Sequence, residues 1–398
     1  MHTIKQLSTL DVLAIISSNT QDEDYALFTG DKGLYHGNPN TGFTLLTTLD
    51  NITALDAPIK LYYHHPYICV TERYGLNAAV VNIQSCNTLK LSREGYRNDV
   101  SSYSAGFIED SGQVLLVHQT QWNRLDITNP ETGQLLTTRE IINEDTGETE
   151  TTKWGTSPKR RQVNYIDYFH SLLHISPDGK HFLSNGWIWQ PVDNIICFET
   201  NSFMSGYEPS GKYTGYMRGY AWDRPCTFIN NDTFVIAADK CTVTAEEGVN
   251  ESELKEPPTY HQLLYYKLSE VKANNYTYTG YEGYDTLPLA YSAGADCDIF
   301  LFDDYDEIQA GELHYNPSTG NLTAISQKGA YELTLEGKII RSNPEIKIYV
   351  DNWQMRRNEA KEINHTSWLK NWQYDTVRDT FYRYNNGEIE VKCLAKPA

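Results

Sequence analysis

Short runs rich in Val, Ile, Tyr, Phe and Thr recur along the chain, and each is followed by a turn containing Gly, Asn, Asp or Pro. Runs of this length and composition are typical of β-strands. Helical periodicity is sustained only over residues 353–363 (WQMRRNEAKEI), where it predicts one short helix. The pattern therefore predicts an all-β protein.

The strand-like runs group in fours. Residues 11–49 hold DVLAIIS, DYALFTG, GLYHGN and FTLLTTL, and residues 59–93 hold IKLYYHH, YICVTER, NAAVVNI and TLKLSR. Residues 104–140 continue with SAGFIED, QVLLVHQ, NRLDIT and QLLTTRE. A repeat of about 45 residues with four strands in each unit is typical of the blades of a β-propeller.

The fourth unit, residues 170–200, contains a diagnostic turn. An apolar strand ends in Ser176-Pro177-Asp178-Gly179-Lys180, and a second strand follows at once. Pro presets φ, Asp caps the turn and Gly takes the left-handed position. Here the chain resembles the WD-repeat and related propeller families, whose inner two strands are often joined by such a turn. The Gly-His and Trp-Asp signatures of that family are missing, and Trp187-Ile188-Trp189 falls in the second strand.

The remaining units are predicted in the same way. A fifth begins at Cys226 (CTFIN, TFVIAA, HQLLYYKLSEV), a sixth holds DIFLFDDY, GELHYNP and NLTAISQ, and a seventh holds GAYELTL, GKIIRS and IKIYV. The C-terminal run is a hairpin with an Asn-Asn-Gly turn at residues 385–387, expected to pair with the N-terminal strand and close the ring. We therefore predict a single closed β-propeller domain over residues 1–398, with seven blades of four antiparallel strands, or alternatively eight.

Two segments interrupt the strand rhythm, residues 141–166 and 239–260, and both are predicted to be inserted surface loops. Strand counting places both on one face, opposite the turn at residues 176–180. Neutral insertions are the alternative to a binding role. The first segment carries the candidate partner-binding residues Trp154, Lys159, Arg160 and Arg161. An aromatic beside arginines is typical of protein interfaces, although these cations can also contact phosphate or pair with acidic residues of the same segment: Glu144, Asp145, Glu148 and Glu150.

The charge balance narrows the choice of partners. Thirty-three basic against 52 acidic residues give a net charge of −19, which repels nucleic acid and anionic membranes and attracts a basic protein. The apolar run from Val12 to Ile16 is five residues long, which indicates a strand and not a signal peptide. Seven cysteines without C-x-x-C spacing indicate buried reduced thiols. We expect a cytoplasmic monomer that binds neither nucleic acid nor membrane.

The chain contains partial matches to cofactor and metal motifs, and each lacks an essential feature. Residues 206–213 (GYEPSGKY) fit G-x-x-x-x-G-K, but Tyr213 replaces the magnesium-binding Ser or Thr, and Pro209 removes a backbone donor. The acidic cluster at residues 303–307 lacks the spacing of a calcium loop. Adjacent His64 and His65 point to opposite faces of a strand, and His118, His170 and His174 are expected to be ordinary strand histidines. No cofactor and no metal site is predicted.

These observations favour a non-catalytic, protein-binding propeller, such as an immunity, accessory or scaffold protein. The alternative is a propeller enzyme of glycosidase or lactonase type, with an acid or metal cluster at the central channel. Such a cluster draws its residues from several blades, so it leaves no local motif.

Overall fold

The computed structural model describes most of the chain: residues 3–4, 6–53, 55, 58–143, 149–152, 160–162, 166–188, 192–206, 211–214, 218–219, 224–239, 261–270, 289–294, 311–326, 328–348 and 371–394. Contacts divide the chain into two compact units. Unit 1 comprises Met1–Asp50, Arg218–Glu270 and Pro288–Ala398, and unit 2 comprises Asn51–Met217 and Val271–Leu287. That residues 1–398 form a single domain stays a prediction.

The first sheet of unit 1 is antiparallel and has the order β1-β5-β4-β3-β2. A 3₁₀ turn, Leu7–Thr9, lies between its first two strands. Its strands are β1 (Thr3–Ile4), β2 (Val12–Ser17), β3 (Tyr25–Thr29), β4 (Gly33–Asn38) and β5 (Gly42–Thr48).

Unit 2 contains four antiparallel sheets, in which neighbours along the chain pair with one another except where β15 pairs with β13. The second sheet of the chain holds β6 (Ile59–His64), β7 (Tyr67–Glu72), β8 (Asn77–Asn82) and β9 (Thr88–Ser92). The third holds β10 (Ala105–Asp110), β11 (Gln113–Gln121) and β12 (Arg124–Thr128). A small sheet follows with β13 (Arg139–Asn143), β14 (Thr149–Thr152) and β15 (Arg160–Gln162). The last holds β16 (Phe169–Ile175), β17 (His181–Ile188), β18 (Val192–Glu199), and, after helix α1 (Thr200–Met204), β19 (Lys212–Tyr213).

Unit 1 resumes with strand β20 (Arg218–Gly219) and three further antiparallel sheets. One holds β21 (Cys226–Phe228), β22 (Thr233–Asp239), β23 (His261–Lys267) and β24 (Leu289–Gly294), with a 3₁₀ turn at Leu268–Glu270. The next holds β25 (Glu312–Asn316), β26 (Asn321–Ile325), β27 (Ala330–Leu333) and β28 (Ile339–Asn343). The last holds β29 (Gln373–Asp375), β30 (Thr380–Asn385) and β31 (Glu388–Lys392).

The all-β prediction is confirmed, and so are the four strands of each of the first two predicted units. The turn between β16 and β17 has the predicted chemistry, because Gly179 lies at φ +69° and the Ser176 hydroxyl donates to Asp178 Oδ1 at 2.9 Å. The central strands β3 and β7 are buried on both faces along their whole length, whereas the edge strand β9 alternates between exposed and half-buried positions. This is the burial expected of a short sheet packed between two others.

The predicted cut between the sixth and seventh units is wrong. The runs GELHYNP, NLTAISQ, GAYELTL and GKIIRS form one sheet, β25 to β28. The N–H of Ser326 donates to the carbonyl of Gly329 at 2.9 Å, and this tight turn lets β27 pair directly with β26. The run IKIYV instead contributes buried Ile346 and Ile348 to the core around β29 and β30. DIFLFDDY and the predicted helix at residues 353–363 lie outside the described residues.

The third predicted unit also differs at its outer edge. The run QLLTTRE was expected to be a full fourth strand, but its pairing with β12 is a single bridge between Thr128 and Leu135. The segment is held by two backbone hydrogen bonds, from the Leu136 N–H to the carbonyl of Ile127 at 2.8 Å and from the Asn129 N–H to the carbonyl of Gln134 at 2.9 Å. Beyond them the Thr137 hydroxyl donates to buried Asp126 at 2.7 Å, so a side chain continues the contact with the sheet.

The C-terminal hairpin forms as predicted, with Asn386 and Gly387 both at positive φ in the turn. Its expected pairing with the N-terminal strand is wrong, because β1 pairs with β5 and β31 pairs with β30. The hairpin still contacts the N-terminal segment, since Tyr384 donates its hydroxyl to the carbonyl of Leu7 at 3.1 Å. No helix among the described residues is long and apolar enough to cross a membrane.

Candidate functional site

The four candidate partner-binding residues from the sequence fall in the first insertion. Trp154 and Lys159 lie outside the described residues, and Arg160 and Arg161 lie in β15, opposite Asn143 and Ile142 of β13. Within the predicted insertion the described residues form short paired strands, since β13 pairs with both β14 and β15, and the prediction of an inserted surface loop over residues 141–166 stays a prediction. Both runs, IIN and TETT, are rich in β-branched residues, which favour strands.

The second insertion follows β22, whose last residue, Asp239, pairs with His261 at the start of β23. It therefore separates the second and third strands of its sheet, as predicted, although residues 240–260 lie outside the described residues. The expected common face of the two insertions stays a prediction.

A column of aromatic rings in unit 2 runs from the core to the surface. Phe169 and Trp187 face each other across β16 and β17, and their rings stack with centroids 3.6 Å apart and an interplanar angle of 5°. Half-buried Trp122 lies 4.3 Å from Phe169, and Tyr96 meets Trp122 edge-on at 5.8 Å. Both tryptophan and tyrosine suit such a position because one end is apolar and the other polar.

The surface end of this column is an exposed apolar pair. Leu76 exposes 39% and Tyr96 exposes 43% of its surface, and both are among the five large hydrophobic residues exposed in the described part of the chain. Gly95, which precedes Tyr96, adjoins Leu76: a Cβ built there would be 3.6 Å from Leu76 Cδ2. We call Leu76, Gly95 and Tyr96 the Leu76–Tyr96 patch.

Buried Arg93 fixes the segment that carries Tyr96. Its guanidinium donates to the carbonyls of Asn98 at 3.1 Å and Ser101 at 2.9 Å, and also to Gln119 Oε1 at 2.6 Å. Nε donates to the carbonyl of Gly75 at 2.9 Å, one residue from Leu76. A rigid fork of five donors suits this role, because it holds several carbonyls at once. Burial lowers the pKa of Arg93 to about 10.

Further hydrogen bonds tie the same segment to its neighbours. Trp187 Nε1 donates to Ser101 Oγ at 2.9 Å, and Asn98 Nδ2 donates to the carbonyl of Tyr74 at 2.9 Å. Arg73 Nε donates to Ser102 Oγ at 3.0 Å. The patch is therefore built on a fixed frame, and binding to such a surface costs little ordering entropy.

The histidines have structural partners. His118 Nε2 lies 2.9 Å from Thr128 Oγ1, and His170 Nδ1 lies 2.9 Å from Ser184 Oγ, both in buried positions. Burial lowers the pKa of His118. At the surface, His64 Nε2 lies 3.1 Å from Glu109 Oε1. Among the described residues, no group of three or more His, Cys, Asp or Glu side chains is arranged to hold a metal ion.

The structure places the end of the G-x-x-x-x-G-K match and five of the cysteines. Lys212 and Tyr213 of the G-x-x-x-x-G-K match form β19, whereas a phosphate loop leads into a helix. Of the cysteines described, Cys69, Cys197 and Cys226 are buried, Cys86 is half-buried and Cys393 is exposed. Burial raises the pKa of Cys197 to about 12, and the acidic cluster at residues 303–307 lies outside the described residues.

Sequence reasoning did not identify the Leu76–Tyr96 patch. Its signal was the polar gap between the runs TLKLSR and SAGFIED, which contains two aromatic residues, Tyr96 and Tyr103. Which side chains surround Tyr96 depends on three other segments, which supply Leu76, Trp122 and Phe169.

No protein-family model and no curated protein matches this chain. The chain is similar to the solved WD40 domain of Neurospora crassa Pan2, with 9% sequence identity, a TM-score of 0.48 and coverage of 96% of this chain and 88% of that chain. It is also similar to Kuenenia stuttgartiensis hydrazine synthase, with 9% identity, a TM-score of 0.47 and coverage of 100% of this chain and 98% of that chain. A third similar structure is Kluyveromyces lactis Hsv2, with 10% identity, a TM-score of 0.45 and coverage of 84% of this chain and 85% of that chain. These TM-scores lie below 0.5, so the fold is assigned from the sheets of the chain itself. The described part of the chain forms repeated antiparallel sheets of three to five strands, which is an all-β fold.

Proposed function

We propose that this chain is a non-catalytic, closed β-propeller that binds another protein, and that the Leu76–Tyr96 patch is a contact surface. The carrying observation is an exposed apolar pair, 39% and 43% exposed, on a segment held by buried Arg93. Aromatic residues on a fixed frame commonly supply most of the binding energy at protein interfaces.

A ring of seven blades is the architecture we propose. Apart from the small sheet β13 to β15, seven antiparallel sheets are present in the described part of the chain. Closure of the ring is supported by side-chain hydrogen bonds between the last sheet and the first, among them Gln373 Nε2 to the carbonyl of Ile15 at 2.9 Å. Closure would cover sheet edges that otherwise invite aggregation.

The test begins with affinity capture from the native host's lysate and identification of a stoichiometric partner by mass spectrometry. The purified partner is then titrated calorimetrically against the intact protein, Tyr96→Ala and Val391→Ala. We expect about a tenfold or larger loss of affinity for Tyr96→Ala and no change for Val391→Ala, which removes an exposed apolar residue in unit 1. Equal affinities of the three proteins would contradict the proposed site.

The non-catalytic part of the proposal has its own test. The purified protein, with and without added divalent metals, is assayed against panels of lactones and glycosides. We expect no turnover above the buffer rate. Metal-dependent or acid-dependent turnover would contradict this part and favour the propeller-enzyme alternative.

A second contact region is proposed at residues 141–166, which carry Trp154, Lys159, Arg160 and Arg161. Replacing this segment by a short flexible linker should weaken binding of the captured partner. Unchanged affinity would mean that this segment is not part of the interface. The Leu76–Tyr96 patch is tested separately, by Tyr96→Ala.

A further inference from the structure

We propose that strand β31 (Glu388–Lys392) is a sheet edge that pairs, antiparallel, with β31 of a second copy of this chain. The edge lies in unit 1, so this self-association goes beyond the proposed function and does not involve the Leu76–Tyr96 patch of unit 2. Three features support the pairing: a neighbouring strand that is missing, the direction of two backbone N–H groups, and the order of charges along five residues.

The last sheet lacks the strand that covers the equivalent position elsewhere. In other sheets the third strand pairs with a fourth, as β8 pairs with β9, β23 with β24 and β27 with β28. Even in the sheet β10 to β12, the N–H of Leu136 donates to the carbonyl of Ile127 in β12. β31 is the third strand of its sheet, and in the described part of the chain it pairs with β30 alone. The N-terminal strand β1 does not fill this place, since it pairs with β5.

The backbone groups at the outer side of β31 belong to Ile389 and Val391. A two-residue loop joins β30 to β31, and the closing pair of such a hairpin, here Asn385 with Glu388, exchanges both backbone hydrogen bonds. Bonded pairs alternate along an antiparallel ladder, so Ile389 and Val391 direct their N–H and C=O groups away from β30. Among the described residues, no other segment makes a backbone hydrogen bond to these two residues, and Val391 exposes 51% of its surface.

The sequence of β31, EIEVK, is complementary to itself when two copies run antiparallel about Glu390. Glu388 then lies opposite Lys392 of the second copy, and Ile389 lies opposite Val391 of the second copy. The outward residues of one strand therefore meet the outward residues of the other, as hydrogen-bonded pairs require. Cross-strand pairs of opposite charge and packed β-branched side chains both stabilise such a ladder.

The charged side chains of β31 fit this register. Glu390 would meet its own counterpart at the axis, and its carboxylate is already paired, accepting from Asn385 Nδ2 at 2.6 Å and from Arg383 Nε at 2.8 Å. Lys392 donates to Glu345 Oε2 at 2.7 Å and keeps 37% of its side chain exposed. An ammonium has three donors, so a glutamate of the second copy can share it.

Net charge and strand register predict opposite behaviour. Each copy carries −19, which predicts a monomer, but salt at about 0.15 M screens exposed charges beyond about 8 Å. Opposed side chains of a strand pair start about 5 Å apart, so the order of charges in β31 acts inside that distance. Glu388→Lys makes the chain less negative by two charges, and a net-charge effect would then strengthen association. The register predicts that the same substitution weakens it.

The experiment is sedimentation velocity of the full-length protein over a wide range of concentration, in salt at about 0.15 M. We expect a reversible and weak dimer, since one strand pair is smaller than a standard protein interface. Glu388→Lys and Lys392→Glu should each weaken it about tenfold or more, because either homodimer brings like charges together twice. An equimolar mixture of the two variants should restore the dimer. In the mixed dimer the introduced lysine faces the introduced glutamate, and the two native residues face each other.

Val391→Pro tests the backbone part of the pairing. Proline removes the outward N–H of position 391 without removing a bond to β30, and edge strands tolerate proline. We expect this variant to stay monomeric, whereas the matched control Val391→Thr keeps both the N–H and a β-branched side chain and should dimerise. The urea midpoint of every variant is compared with that of the wild type. If Val391→Pro unfolds, the mixture of the two charge variants decides.

Four results would overturn the proposal. These are a wild type that stays monomeric at every concentration, a dimer that persists in folded Val391→Pro, a mixture that associates no more tightly than its two components, and a Glu388→Lys variant that associates more tightly than the wild type. A monomeric wild type would leave a strand from another protein as the occupant of this edge. None of these results changes the test of the proposed function, because Tyr96→Ala leaves β31 intact.

Discussion

The hydroxyl oxygen of Tyr382 accepts a hydrogen bond from the backbone N–H of Ser17 at 3.0 Å, which joins β30 to β2 across 365 residues of sequence. The same hydroxyl donates to Gln373 Oε1 at 3.0 Å. Asp375 accepts from the Ser17 hydroxyl and from Arg378 Nε. The first and last sheets of unit 1 are thus held by a buried polar network, and such networks are costly to break once water is excluded.

Tyr382→Phe should destabilise the protein by about 1–3 kcal/mol, because it leaves the buried N–H of Ser17 without this acceptor. Urea unfolding followed by tyrosine and tryptophan fluorescence measures the change. Tyr315→Phe, at a half-buried tyrosine on β25, controls for the loss of a phenolic oxygen elsewhere in unit 1. Equal effects of the two substitutions would contradict a special role for the Tyr382 network.

Arg93→Lys should destabilise the protein by about 2–4 kcal/mol, because a lysine keeps the charge but cannot reach the separate carbonyls that the guanidinium holds. Amide hydrogen exchange of residues 94–101 should accelerate, since their anchor is lost. The measurements are urea unfolding and exchange followed by mass spectrometry.

The control for this prediction is Arg97→Lys, on the exposed part of the same segment. We expect it to change stability by no more than about 0.5 kcal/mol. Unaltered exchange in Arg93→Lys would show that the segment keeps its conformation without the buried guanidinium.

Local turn chemistry was predictable from the sequence, and the grouping of strands was only partly so. Ser176 to Lys180 specify their own turn, because Pro, Asp and Gly each have one conformational role there. The border between β26 and β27 was misplaced because the apolar runs look alike, and only long-range pairing decides which runs share a sheet.

The candidate site was beyond sequence reasoning for a related reason. Leu76, Tyr96, Trp122 and Phe169 come from four separate segments, and none is unusual in its own context. Only the pairing of β16 with β17, and the hydrogen bond from the His170 N–H to the carbonyl of Trp122 at 3.0 Å, bring the rings together. Spatial proximity of this kind has no local motif.

Glu131→Gln should lower stability near neutral pH and make little difference in acid. Hydrogen bonds from Asn82 Nδ2 at 2.8 Å and from the Tyr67 hydroxyl at 3.0 Å hold the pKa of Glu131 below its ordinary value of 4.5. Glu131 therefore stays ionised to a lower pH in the folded protein than in the unfolded protein, so the unfolded protein takes up this proton first as the pH falls. The stabilisation of the fold by ionised Glu131 is fully present above pH 4.5, and it is lost as the pH falls through the lower pKa of the folded state.

The measurement for Glu131→Gln is the urea midpoint of both proteins between pH 7 and pH 3, about the range that spans this titration. The gap between wild type and variant should narrow on the acid side. Glu388→Gln, at an exposed glutamate on β31, provides the matched control. A difference in urea midpoint that stays constant with pH would mean that the substitution removes packing contacts and not a charge-dependent hydrogen bond.

Two glycines at similar backbone angles separate the cost of a left-handed conformation from the cost of a close contact. Gly112 lies at φ +78° with open space around its Cβ position, and Gly179 lies at φ +69° with the carbonyl oxygen of Glu109 2.9 Å from that position. Gly112→Ala should therefore cost about 1 kcal/mol, the ordinary penalty for an L-residue in this region. Gly179→Ala carries the same penalty and must also displace β10 backbone, so its urea midpoint should fall further. Equal midpoints would mean that the turn from β16 to β17 can move away from β10 at no cost, and that the packing of these two sheets does not depend on a glycine at position 179.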